Sequence, residues 1–187
     1  MHAVQTPVLP TVAQGPANQV TLTRALLSLA VALMVAVEPV VAVPVALLVG
    51  TTVLALALDW VDGQVARRTG TVTEFGARFD MEVDAFLILV LSVYVARSFG
   101  PWVLAIGLAR YALLAAEQVW PWLRRRVPAR YWRKVVAAIQ GAVLATAASA
   151  LLPHYLAAVA LVGALLLLAE SFGRDVLYLF RSGLATR

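Results

Sequence analysis

Six apolar windows follow one another along this chain, and little sequence is left over to build anything else. A transmembrane helix needs roughly 20 mostly apolar residues. If small and polar interruptions are allowed, the windows fall at Leu22–Val37, Pro44–Val61, Phe75–Ala96, Pro101–Val119, Val135–Leu152 and Tyr155–Leu179. The breaks hold residues that end helices: Glu38 to Pro44, Ser98-Phe99-Gly100-Pro101, the basic run from Pro121 to Lys134, and Pro153-His154. Of 187 residues, 62% are hydrophobic and 13% charged, too little polar surface to cover a water-soluble globule. The expected fold is all-α, an integral membrane bundle of six transmembrane helices. Residues 1–17 read as a flexible N-terminal tail, without the basic cluster and apolar run of a secretory signal peptide, and 18–187 as one membrane domain. No inverted repeat of the transporter kind is visible.

The charges orient such a bundle. Arg24, Arg67, Arg68, Arg124, Arg125, Arg126, Arg130, Arg133, Lys134, Arg174, Arg181 and Arg187 fall on one side, and the opposite links carry little more than Arg97. The positive-inside rule makes that side cytoplasmic, with both termini inside and the cytoplasmic membrane as the location. Trp60, Trp102, Trp120, Trp122 and Trp132 sit near helix ends, as interfacial anchors do. A formal charge of +5 fits anionic headgroups and phosphorylated substrates better than nucleic acid in so apolar a chain. Fourteen of the fifteen basic residues are arginine, a usage that suits bidentate phosphate recognition and that a GC-rich genome would also produce. There is no cysteine, so thiolate metal sites, disulfides and cysteine nucleophiles are excluded.

Against this background the acids stand out. Asp59 and Asp62 lie at the inner end of the second window, three residues apart and on one helix face. If that helix continues to about Arg68, then Asp59, Gly63 and Arg67 stack at intervals of four, with Ala66 alongside. Gly63 and Ala66 would leave room for a bulky group against the helix. The third helix returns with Gly76, Asp80 and Asp84 at the same interval. Two antiparallel helices would thus face each other with two carboxylates apiece. Four such groups at this depth repel one another, and one or two hard divalent cations relieve the repulsion. An oxygen-only donor set favours magnesium, manganese or calcium over zinc. The alternative is a salt-bridge network with Arg67, Arg68 and Arg78.

These residues reproduce a long, gapped pattern: D-x-x-D-G-x-x-A-R, eight residues, then G-x-x-x-D-x-x-x-D, matched by Asp59, Asp62, Gly63, Ala66, Arg67, Gly76, Asp80 and Asp84. The stretch resembles the signature of the CDP-alcohol phosphotransferase (CDP-alcohol phosphatidyltransferase) family. Asn18-Gln19-Val20-Thr21-Leu22-Thr23-Arg24 looks like that family's N-x-x-T-x-x-R segment ahead of the first helix, with Ala17 where a proline is usual and Pro16 one place earlier. The resemblance implies a membrane homodimer that moves the phosphatidyl group from CDP-diacylglycerol, or a similar CDP-alcohol, to an acceptor hydroxyl and releases CMP. It implies two ions, Mg2+ or Mn2+, on Asp59, Asp62, Asp80 and Asp84, with Asp84 also the general base. Asn18, Thr21, Asp62, Gly63, Ala66, Arg67, Thr73 and Gly76 would bind the nucleotide, with Arg24 as a helper.

The acceptor is common ground on which the family varies: glycerol phosphate, inositol phosphate, serine, choline-type alcohols or phosphatidylglycerol. The arginine-rich link between the fourth and fifth helices tilts the reading toward a phosphorylated acceptor, such as glycerol 3-phosphate or inositol phosphate. Arg110, near the middle of the fourth window, is a candidate for its pocket because a charge at that depth faces the bundle interior or a wet cavity; pairing with a buried acid is the other reading. Arg126, Arg133 and Lys134 are further candidates, although most of such a basic run is a headgroup-binding face. Glu74, Glu82 and Glu117 read as local charge partners, and Glu82 points away from the Asp80/Asp84 stripe. His2 and His154 lie in a tail and an outer link. Two other functions share the carboxylates. A cation transporter would spread its acids across the membrane depth, and a phosphohydrolase would release CMP without an added alcohol.

Overall fold

The computed structural model describes residues 16–69, 74–120, 122 and 131–184. Among them the chain forms six α-helices and no strand: α1 Pro16–Val37, α2 Val45–Thr69, α3 Glu74–Phe99, α4 Leu104–Val119, α5 Tyr131–Ala148 and α6 His154–Leu184. A 3-10 turn, Pro101–Val103, leads into α4. Each expected window has its helix, but several ends differ. Helix α1 begins at Pro16, six positions before Leu22 and within the expected tail. Proline suits the first helical turn, where its missing N–H has no partner to lose. Helix α2 runs past the apolar window to Thr69, so the aspartate signature is carried on a continuing helix. Helix α5 lies about one turn earlier than expected, because the chain turns at Ser149-Ala150. Ala150 takes a left-handed φ of 53°, a conformation that ends helices and usually belongs to glycine.

Helix α3 is the central post. It packs against α1, α4 and α5; α1 also lies along α2, and α5 along α6. The core between them is built from Val31 and Val35 of α1, Leu48 and Ala55 of α2, Leu87, Leu91 and Val95 of α3, Val136 and Leu144 of α5, and Leu161 of α6. Helices α3 and α4 approach closely at Gly107, where an added Cβ would lie 2.7 Å from the Leu89 Cα. Gly100, with φ of 99°, makes the sharp turn between α3 and the 3-10 segment, a backbone state open to glycine. Buried hydroxyls bond within their own helices, Thr52 Oγ1 to the Leu48 carbonyl at 2.9 Å and Ser92 Oγ to that of Ile88 at 2.8 Å. That is how polar groups are satisfied where water is absent.

The outside of the bundle is apolar as well. On α1 the outward stripe is Leu22, Leu26, Leu29, Leu33 and Val37, each about half exposed, while the inward stripe begins with Thr21, Arg24 and Ser28, all buried. Exposed leucine opposite buried arginine inverts the pattern of a soluble helix. The segment Pro101–Val119 and the stretch His154–Phe180 of α6 are each long and apolar enough to cross a membrane, and Thr21–Val37 and Val45–Val61 are shorter apolar stretches.

Candidate metal centre

Three helices converge on one group of acids. The inward stripe of α1 delivers Arg24, the inner end of α2 delivers Asp59, and the first turns of α3 deliver Asp80 and Asp84. Asp59, Asp80 and Asp84 each offer a carboxylate oxygen, and these oxygens lie within 4.8 Å of one another. Asp80 and Asp84 share a face of α3 because four residues make about one helical turn. The three side chains are 40%, 36% and 32% exposed, so the acids open to the outside of the bundle. Behind them the Arg24 guanidinium is 2% exposed. Its Nη1 pairs with Asp80, and its Nη2 pairs with Asp84 and lies 3.0 Å from Asp59. Its Nε is buried with no hydrogen-bond partner.

The sequence pattern expects four acids to meet, with arginines near them as the alternative partners. Three of the four expected carboxylates, those of Asp59, Asp80 and Asp84, meet in space, and among the described residues their counter-charge is Arg24 of α1. No sequence interval links Arg24 to Asp59. The signal that could have found it is a lone arginine on the apolar first helix of a chain with unpaired acids. Thr21, one turn before Arg24, is buried on the same stripe. Gly76 stands one turn before Asp80 and is partly buried. The α2 backbone continues as helix through Asp62, Gly63, Ala66 and Arg67, whose side chains, like that of Asn18, lie outside the described ones. Thr73 and Arg126 lie outside the described residues.

The acceptor candidates sit elsewhere. Arg110 Nη2 donates to Glu82 Oε1 at 2.5 Å, tying α4 to α3, so the paired reading of Arg110 is the one the geometry displays. Arg133 lies 3.4 Å from Asp175, and Trp132 Nε1 donates to Glu170 Oε2 at 3.1 Å, both joining α5 to α6. Lys134 is exposed at the start of α5. His154 stacks on Phe99, ring centroids 4.2 Å apart, at the end of α3 remote from the acids.

Oxygens this close fit a shared hard cation. With metal–oxygen distances of about 2.1 Å for Mg2+ and 2.3–2.6 Å for Ca2+, ligands on opposite sides of one ion stand about 4–5 Å apart. The donors are carboxylates alone, which suits magnesium or manganese and does not suit zinc or copper.

The chain matches the CDP-alcohol phosphatidyltransferase family over residues 16–169. That stretch is most of its length, and the chain belongs to this family. Curated relatives align over a shorter stretch. A CDP-diacylglycerol–glycerol-3-phosphate 3-phosphatidyltransferase of Sodalis glossinidius is 35% identical over 72 residues, 36% of this chain and 40% of the relative. Proteins of the same description from Yersinia pestis (strain Pestoides F) and Yersinia pseudotuberculosis are 33% identical over equal shares. The aligned stretch thus spans about two fifths of the length of these relatives.

Proposed function

We propose that this chain is a phospholipid-synthesising transferase of the cytoplasmic membrane, which moves the phosphatidyl group from CDP-diacylglycerol, or a similar CDP-alcohol, to an acceptor hydroxyl and releases CMP. The observation that carries this reading is the meeting of Asp59, Asp80 and Asp84, from two helices of the family signature, with their oxygens within 4.8 Å. The acids gather at one end of the bundle and are not strung along its depth, which weighs against the cation-transporter alternative. Glycerol 3-phosphate is the favoured acceptor, since the curated relatives carry it in their names, with inositol phosphate second.

In this reading Asp59, Asp62, Asp80 and Asp84 hold two divalent ions, Mg2+ or Mn2+, which supply charge neutralisation and polarise the phosphorus for in-line attack. The Asp84 carboxylate takes the proton of the acceptor hydroxyl. The acceptor oxygen then bonds to the phosphorus of the phosphatidyl group as the bond to the CMP oxygen breaks, and CMP leaves as an anion. Asn18, Thr21, Asp62, Gly63, Ala66, Arg67, Thr73 and Gly76 cradle the nucleotide, the small residues letting it lie close to α2 and α3. Arg110, Arg126, Arg133 and Lys134 are the candidates to supply positive charge toward a phosphorylated acceptor, Arg110 and Arg133 while also paired with Glu82 and Asp175. Six membrane spans put both termini and the metal centre on the cytoplasmic side, with the acyl chains left in lipid, and the protein works as a homodimer.

The test is CMP release from CDP-diacylglycerol by the purified chain with Mg2+ or Mn2+, across a panel of alcohols. Release is expected only with a matching acceptor, and Asp84→Asn is expected to lower the turnover by about 10²–10⁴-fold, the usual contribution of a positioned general base. Release that proceeds equally without any alcohol would replace the transferase by a phosphohydrolase.

A further inference from the structure

We infer that Arg24 is a built-in counter-cation of the metal centre: it holds Asp59, Asp80 and Asp84 together in the metal-free protein, and a divalent ion must compete with it for their oxygens. The inference rests on the metal-dependent reading above. Three observations carry it. Among the described residues, the ion pairs formed by Arg24 go to the three acids that could hold a common cation. The guanidinium is buried behind them while they are each about one-third exposed, so an ion arriving from the open side meets the carboxylates first and needs no rearrangement of the α1 core. Finally, Arg24 Nε is buried without a partner. A buried salt bridge stabilises most where its remaining donors are also hydrogen-bonded, and the less buried Arg110 Nε is left unmet in the same way. An unmet N–H beside the acids fits a guanidinium that has a second set of acceptors, and phosphate oxygens of the donor substrate match its planar fork.

Arg24 is thus a positioning residue. It offsets one negative charge and keeps three helices in register before metal arrives. Its cost is weaker metal binding, since a unit positive charge a few Å from a divalent ion opposes it.

The experiment is Mn2+ titration of the purified full chain in nanodiscs, read by the electron paramagnetic resonance of free Mn2+, together with thermal unfolding with and without the ion. Arg24→Gln is expected to bind Mn2+ about tenfold more tightly than the native chain or better. Its metal-free midpoint should fall, and the rise in midpoint on adding Mn2+ should be larger than in the native chain. A purely structural arginine would lower both midpoints together and leave the affinity unchanged or weaker. That outcome overturns the inference while the transferase reading stands. Should the glutamine variant not fold, Arg24→Met serves: it keeps an unbranched side chain in the buried site and removes the charge, so tighter Mn2+ binding than native is again expected, and an unchanged affinity overturns the inference. A native chain that binds no Mn2+ sinks the metal-dependent reading itself, and this inference with it.

Discussion

Arg110 and Glu82 show how a charge is carried on an apolar helix without joining the metal centre. Glu82 lies two residues from both Asp80 and Asp84, so α3 turns it to another face, where Arg110 of α4 meets it. The two side chains are 29% and 46% exposed, so screening limits the pair to under about 1 kcal/mol. Glu82→Gln is therefore expected to lower stability by less than about 1 kcal/mol and to leave CMP release within about twofold. Kinetics of Arg110→Ala beside it separate two roles. Equal, small effects mean that Arg110 only pairs, whereas an acceptor KM raised by Arg110→Ala alone means that it touches the acceptor. At this scale the acids were legible because their spacing is a fixed pattern within two neighbouring helices. Arg24 was legible as a helper at the nucleotide site through the N-x-x-T-x-x-R segment, but its pairing with the acids was not, because they lie 35, 56 and 60 positions away and no interval along the chain encodes them. The pairing of Arg110 was open for the same reason, since depth alone says that a charge needs a partner and not which one.

Helix identity followed from apolar length, and helix ends did not. Apolarity reports where lipid begins, whereas a helix stops where backbone chemistry stops it. That is why α2 continues through Asp59 and beyond, and why α5 ends at Ala148, before the apolar window does. Ala150 is the case in point: at φ 53° an L side chain crowds the following carbonyl. Ala150→Gly is expected to raise stability by about 0.5–1 kcal/mol, read as a higher thermal midpoint in detergent. The opposite is expected at the crossing of α3 and α4. A Cβ at position 107 would meet backbone, not a yielding side-chain tip, so Gly107→Val should force the helices apart and lower stability by about 1–3 kcal/mol. Because α3 also carries Asp80 and Asp84, the same variant should weaken Mn2+ binding if the shift reaches the first turns of α3.

The described helices expose many large apolar side chains, among them Leu22, Leu26, Leu33, Val53, Val159, Leu166 and Phe180, as a surface that meets lipid or a partner does. The absence of cysteine makes the proposed topology easy to test, since any single introduced thiol is the sole target of a label. Val40→Cys, in the link between α1 and α2, is expected to react with a membrane-impermeant maleimide in intact cells. Ala185→Cys is expected to react only after permeabilisation. Labelling of both in intact cells would overturn the six-span arrangement. One feature at the far end of α1 bears on how the molecule moves. Arg97, near the end of α3, pairs with Glu38 and donates Nη2 to the Val35 carbonyl at 2.8 Å, so α1 is riveted to α3 by an arginine at each end. Helices α4 and α6, by contrast, flank an apolar groove of about 360 Å³ lined largely by alanine and leucine. Each tie between α1 and α3 spans a different end of the pair, so a tilt of one helix carries the other with it, and the groove between α4 and α6 is where the described bundle has room to close.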